Sequence, residues 1–133
     1  MKLNHIGYIT DSLSNTVEVF TSMGYQPTSI VEFPAHKCRL CFVKKMGEIP
    51  IEIVEPYEDN KSLRRLSHNG VFPYHLCYEV DNIQMKCEEF RNSGFIALSS
   101  PVSAPAFNNR LICYLWSRNL GYIELLDGSR ISD

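Results

Sequence analysis

No stretch of this sequence approaches the roughly 20 consecutive apolar residues that a membrane-spanning helix needs, and nothing in it is low in complexity. An excess of one charge is also lacking. Thirteen Lys and Arg stand against 15 Asp and Glu, for a net charge of −2. So small a charge argues against a nucleic-acid or anionic-membrane surface. The start, Met1-Lys2-Leu3-Asn4-His5-Ile6-Gly7-Tyr8, lacks the unbroken apolar core of an export signal, because His5 and Asp11 interrupt it. An even complement of cysteines is missing too. Five do not describe a disulfide scaffold, and without an export signal the expectation is free thiols in a reducing cytoplasm. What is present suits one soluble domain: 133 residues, 44% hydrophobic and 21% charged. That apolar content excludes disorder as a description of the whole chain.

The sequence repeats itself. Asn4 to Tyr25 reads NHIGYITDSLSNTVEVFTSMGY, and Tyr74 to Phe95 reads YHLCYEVDNIQMKCEEFRNSGF. At a shift of 70 they share six identities in 22 positions: His5/His75, Tyr8/Tyr78, Asp11/Asp81, Glu18/Glu88, Phe20/Phe90 and Gly24/Gly94. Unrelated segments of average composition would share about one or two. Each copy parses as a strand followed by a helix. His5 to Thr10 and His75 to Val80 are β-favouring runs, after which apolar residues recur at helical spacing, Leu13, Val17 and Phe20 answering Ile83, Cys87 and Phe90. Asp11 and Asp81 are the expected N-caps, and Gly24 and Gly94 the expected helix ends.

Later segments match at a shift of 72. Cys41-Phe42-Val43 answers Cys113-Tyr114-Leu115, and Ile51-Glu52-Ile53-Val54-Glu55 answers Ile123-Glu124-Leu125-Leu126-Asp127. Each half therefore reads β-α-β-β-β, with strands expected near 3–10, 26–33, 38–45 and 49–55, then near 74–80, 96–102, 110–116 and 121–127. The fold class is α+β, one domain of two tandem modules over 1–56 and 73–128. The linker, 57–72, holds a short helix over Lys61 to His68. The tail from Gly128 to Asp133 is expected to fray.

Four repeated polar positions carry the chemistry. His5 and His75 stand in the first strand of each module, Glu52 and Glu124 in the last. Ile51 and Ile53 flank one Glu, Ile123 and Leu125 the other, so period-two alternation turns each Glu away from its apolar neighbours. Two imidazoles and two carboxylates suit a divalent transition metal such as Zn, Ni, Co, Mn or Fe, with positions left open for a substrate. Without a metal, the same residues describe a ligand-binding concavity.

This duplicated pattern resembles the vicinal-oxygen-chelate superfamily, which includes glyoxalase I, methylmalonyl-CoA epimerase, extradiol dioxygenases, fosfomycin-resistance enzymes and bleomycin-binding proteins. The resemblance runs from Leu3 to Asp127. It implies a curved, half-open mixed β-sheet with His5, Glu52, His75 and Glu124 as ligands to one divalent metal ion, Zn, Ni, Co or Mn. Local wording is similar to the epimerase branch, in Ile51-Glu52-Ile53-Val54-Glu55-Pro56 and in Tyr74-His75-Leu76-Cys77-Tyr78-Glu79-Val80-Asp81-Asn82-Ile83. The third strand departs from some epimerases, since Cys38-Arg39-Leu40-Cys41 holds no acid. The resemblance implies a lyase or isomerase that moves a proton next to a carbonyl, with Glu124 and Glu52 as catalytic carboxylates. The implied substrates are acyl thioesters or hemithioacetals, and the implied assembly is a cytoplasmic homodimer. The alternative is a metal-free binding protein of the bleomycin-resistance kind.

Other residues have weaker signals. Cys38 and Cys41 spell C-x-x-C, but in a strand residues three apart point to opposite faces, which does not make a zinc clip. Cys77 shares a face with His75 and can line a pocket or simply fill space. Arg39, Arg110, Asn108 and Asn109 have the chemistry to grip a carboxylate or phosphate, or to stand as simple surface residues. His36, His68, Lys44-Lys45 and Arg64-Arg65 read as solvated. Tyr8 and Tyr78 alternate away from the histidines and read as core.

Overall fold

A computed structural model describes residues 1–128 of the chain. The fraying expected of the tail falls, beyond Gly128, outside the described residues. In chain order the elements are β1 (Lys2–Ile9), α1 (Leu13–Ser22), β2 (Gln26–Pro27), β3 (Val31–Phe33), β4 (Cys38–Lys44), β5 (Ile51–Pro56) and α2 (Lys61–Ser67). Then come β6 (Phe72–Val80), α3 (Ile83–Asn92), β7 (Ile96–Ala97), β8 (Val102–Ala104), β9 (Arg110–Ser117) and β10 (Gly121–Asp127). His5–Tyr74 form one compact unit, called the first, and Met1–Asn4 with the chain from His75 onward form the second.

In the first unit β1 and β5 run parallel, with Ile6 beside Ile51 and Gly7 beside Glu52. β4 lies antiparallel on β5, and β2 and β3 both pair with β4. The second unit repeats this arrangement. β6 is parallel to β10, β10 antiparallel to β9, and β7 and β8 both pair with β9. One α-helix per unit covers one face of these strands. Leu13 of α1 packs with Cys41, Val43, Ile51 and Ile53, and Tyr8, Val17 and Phe20 close around them. In the second unit Ile83 and Cys87 of α3 pack with Cys113, Leu115, Ile123 and Leu125, with Tyr78 and Phe90 alongside. The helical and period-two spacings of the sequence are the two halves of these contacts.

Two local expectations differ from the structure. The strands expected at 26–33 and 96–102 are each broken into two short pieces. Pro27 has no N–H to continue a ladder. Beyond it Thr28 bonds sideways instead: its N–H donates to the Phe42 carbonyl at 2.8 Å, and its hydroxyl accepts from the Phe42 N–H at 2.9 Å. In the second unit the Leu98 N–H reaches the Tyr114 carbonyl at 2.9 Å, between β7 and β8.

The caps lie one residue later than expected. Ser12, not Asp11, accepts from the Asn15 N–H, and Asn82, not Asp81, accepts from the Met85 N–H. Their backbones are extended, as an N-cap requires. Asp11 instead accepts a hydrogen bond from the Ser67 hydroxyl and faces the Arg64 guanidinium at 3.5 Å. Gly24 and Gly94 follow their helices with φ of +96° and +98°, the left-handed conformation that ends a helix at low cost for glycine. Ser12→Ala and Asn82→Ala are each expected to lower stability by about 1 kcal/mol in urea titrations, and Asp81→Ala by less than about 0.5.

Candidate metal and catalytic residues

The first unit holds His5 and Glu52 on adjacent parallel strands. Both are buried, with 0% and 2% of their surface exposed. The imidazole Nε2 stands 3.5 Å from the carboxylate Oε1. The second unit holds His75 and Glu124, 3% and 1% exposed, with Nε2 to Oε1 at 3.1 Å. Two donors that share one ion at about 2.1 Å lie roughly 3.0 to 3.5 Å apart in tetrahedral or octahedral geometry. Each His–Glu pair therefore has the donor types and the spacing of two ligands to a common divalent cation. Such buried polar groups are costly unless something offsets their lost hydration.

Strand register explains how each pair forms. Glu52 stands beside Gly7 across β5 and β1, and Glu124 beside Cys77 across β10 and β6. Gly7 and Cys77 are equivalent in the repeat, and both are small. The flanking Ile51 and Ile53, and Ile123 and Leu125, point to the opposite face, into the helix-covered cores. Period-two alternation thus places the acids as the sequence predicts.

The aromatic partners of the histidines escaped the sequence reading. Phe42 meets the His5 ring edge-on, with centroids 5.2 Å apart at 85°, and Tyr114 meets His75 at 5.2 Å and 88°. Phe42 lies beside Glu52 on β4, and Tyr114 beside Glu124 on β9. Each unit thus repeats a three-strand set of His, Glu and aromatic ring. The signal was available, because the shift of 72 aligns Phe42 with Tyr114.

The remaining candidates are placed as follows. Cys77 is fully buried beside Glu124. Arg39 is not brought to the His5–Glu52 face. It lies opposite Glu55 in the register, on the side of Cys41 and Val43, and its Nε donates to the Glu55 carboxylate at 2.9 Å. Glu55 in turn accepts the Leu13 N–H at the start of α1 at 2.9 Å. Arg39, which the sequence offers as an anion grip or a surface residue, thus has its guanidinium paired with the carboxylate that also takes the Leu13 N–H. Asn109 is exposed, in the turn before β9, at φ +64°, and its N–H donates to the Ala104 carbonyl at 3.0 Å. Arg110 pairs with Glu79 and also donates to the Asp127 carbonyl.

All five cysteines are free and buried. Burial, and next a hydrogen bond with Cys87, push the Cys113 thiol up to about 12. The folded state therefore favours the neutral thiol. That contribution to stability is intact below pH 9 and is lost as the pH rises from 9 towards 12. Thiol titration with an aromatic disulfide at pH 8 is expected to find almost no reactive cysteine in the folded protein and all five after denaturation.

Comparison with solved structures shows the fold. A hypothetical protein from Bacillus halodurans C-125 superposes with a TM-score of 0.81 at 19% identity, covering 99% of this chain and 97% of that one. Methylmalonyl-CoA epimerase from Mycobacterium tuberculosis gives 0.82 at 17% identity, over 97% and 89% of the two chains. Streptomyces coelicolor methylmalonyl-CoA epimerase, solved in complex with 2-nitronate-propionyl-CoA, gives 0.83 at 18%, over 100% and 98%. Comparison with curated proteins gives no match. Residues 4–114 match the sequence pattern of one family, and that span takes in the first module and the second as far as Tyr114. With the duplicated β-α-β-β-β topology already evident within each unit, the chain belongs to the Glyoxalase/Bleomycin resistance protein/Dioxygenase superfamily.

Proposed function

We propose that the chain is a metal-dependent lyase or isomerase of the glyoxalase I and methylmalonyl-CoA epimerase type, acting on a carbon next to a carbonyl. The observation that carries this reading is the repetition of a buried His–Glu pair with ligand-like spacing at the same position of both units. His5, Glu52, His75 and Glu124 together would hold one divalent ion, Zn, Ni, Co or Mn. When bound, the ion supplies stabilisation of the negative charge that develops on a carbonyl oxygen.

The chain's own residues do the rest. Glu124, ionised, is the base that takes the proton from the carbon next to the carbonyl, and Glu52, carrying a proton, gives one to the opposite face, so the two exchange protonation states. Both are carboxylates in low-dielectric surroundings, where a proton moves between acid and carbon without competition from bulk water. Phe42 and Tyr114 fix the imidazole planes edge-on and keep the histidine rings from turning. Cys77, fully buried, stands beside Glu124 in the register as Gly7 stands beside Glu52. The substrate class is an acyl thioester or a hemithioacetal. The epimerases similar in fold support the former, and one of them was solved with an acyl-CoA analogue.

Metal analysis tests the reading. The purified protein is expected to carry close to one divalent ion per chain, and His5→Ala/His75→Ala to carry none while keeping its circular dichroism spectrum. A folded wild-type protein that takes up no Zn, Ni, Co or Mn when each is offered would overturn it and leave a binding protein of the bleomycin-resistance kind.

A further inference from the structure

The helix α2 lies in the segment that joins the two modules. This helix packs against β5, the strand that carries Glu52. Along it lies a groove of about 410 Å³ lined by Glu58, Lys61, Arg64, Arg65 and His68. The chain as a whole is slightly acidic, yet this groove collects three permanent cations and an imidazole against one acid.

The cations are not equivalent. Arg64 is held in place, its Nε donating to the Tyr57 carbonyl at 3.4 Å and its Nη1 standing 3.5 Å from the Asp11 carboxylate. Lys61, Arg65 and His68 are exposed, and their side chains form no ion pair with any described residue. Lys61 and Arg65 are four residues apart on one helix, where like charges repel. A solvated helix face ordinarily alternates signs instead. Two unpartnered cations beside a fixed guanidinium are the arrangement that receives a phosphate ester.

Reach agrees with this. Asp11, to which α2 is tied by Arg64 and Ser67, follows His5 by six residues. At about 3.3 Å per extended residue that is no more than roughly 20 Å. An extended pantetheine arm bridges such a distance.

We infer that the α2 groove holds the phosphate end of a coenzyme A thioester, with Lys61 and Arg65 as the phosphate contacts and Arg64 as a fixed neighbour. This rests on the acyl-thioester form of the proposed function. It makes that substrate class more specific, because a hemithioacetal of glutathione has no phosphate to place there.

The test is calorimetric titration of the full chain, wild type and Lys61→Ala/Arg65→Ala, with coenzyme A, pantetheine and inorganic phosphate as separate titrants. Both substituted residues are exposed, so the variant folds, and its metal content is measured alongside. Coenzyme A is expected to bind the wild type at least about tenfold more tightly than pantetheine, one charge-assisted contact's worth, and the variant is expected to erase that preference. Equal binding of coenzyme A by both proteins overturns the inference. So does inorganic phosphate binding as tightly as coenzyme A, which identifies a free-phosphate site. A metal-loaded wild type that ignores coenzyme A also overturns it and leaves the metal reading standing. Variant-sensitive coenzyme A binding by a protein that takes up no metal upholds the groove while removing the enzymatic reading.

Discussion

Glu124→Gln is expected to lower turnover by about 10²- to 10⁴-fold, the usual contribution of a positioned general base. The substitution keeps the size of the side chain and an oxygen at its tip, so the pairing with His75 retains a donor of similar shape. Substantial metal retention is therefore expected with activity largely gone. The loss should fall on kcat more than on KM, since the proton moves only in the transition state. Glu52→Gln provides the comparison. If the two carboxylates serve opposite faces of the reacting carbon, each variant should still exchange the substrate proton with deuterated solvent to a different degree. Glu124→Gln with full activity and full metal content would remove Glu124 from its assigned role and leave it a ligand only.

The largest stability effects are expected at two repeat-related positions in the cores. Ile53 and Leu125 are both 0% exposed and stand at the same place in β5 and β10, one residue after Glu52 and Glu124. Truncation to Ala removes methyl and methylene groups that pack against Leu13 and its neighbours in one unit and against Ile83 and its neighbours in the other. Each should cost about 2–5 kcal/mol, read as the shift of the urea midpoint at constant slope. An Ile53→Val variant should cost about 0.5–1.5 kcal/mol. If Ile53→Ala costs no more than Ile53→Val, the core around α1 re-closes and the tight packing described here is wrong.

The repeat made most of the fold legible. Two shifts, 70 and 72, are enough to place both modules, the helix faces and the four His and Glu positions, because alternation and helical spacing are enforced by burial on one side. The helix in the linker was legible too, as α2. Local hydrogen bonding was not. Asp11 and Asp81 stand next to capping residues of equal strength, Ser12 and Asn82, and the chain reaches its first free helix amides at the latter pair. The interruption at Thr28 depends on a hydroxyl standing in for a backbone partner across the sheet, which no periodicity reports. Arg39 illustrates a different limit. Its parity in β4 assigns it to the α1 face together with Cys41 and Val43, but only the register with Glu55 reveals why a cation is stable there.

The outermost ladders of both units end in very short pieces. β2 and β7 have two residues each, and β3 and β8 three. Pro27 offers no N–H at one of these margins. A foreign strand seeking to add itself would find too few consecutive donors and acceptors to hold a register, and a break in the ladder after two residues. The breaks that defeat strand assignment from sequence therefore also guard the long apolar runs of β4, β5, β9 and β10 against growth into fibrils. Straightening either margin, for instance by replacing Pro27 with Val, would trade that protection for a longer sticky edge.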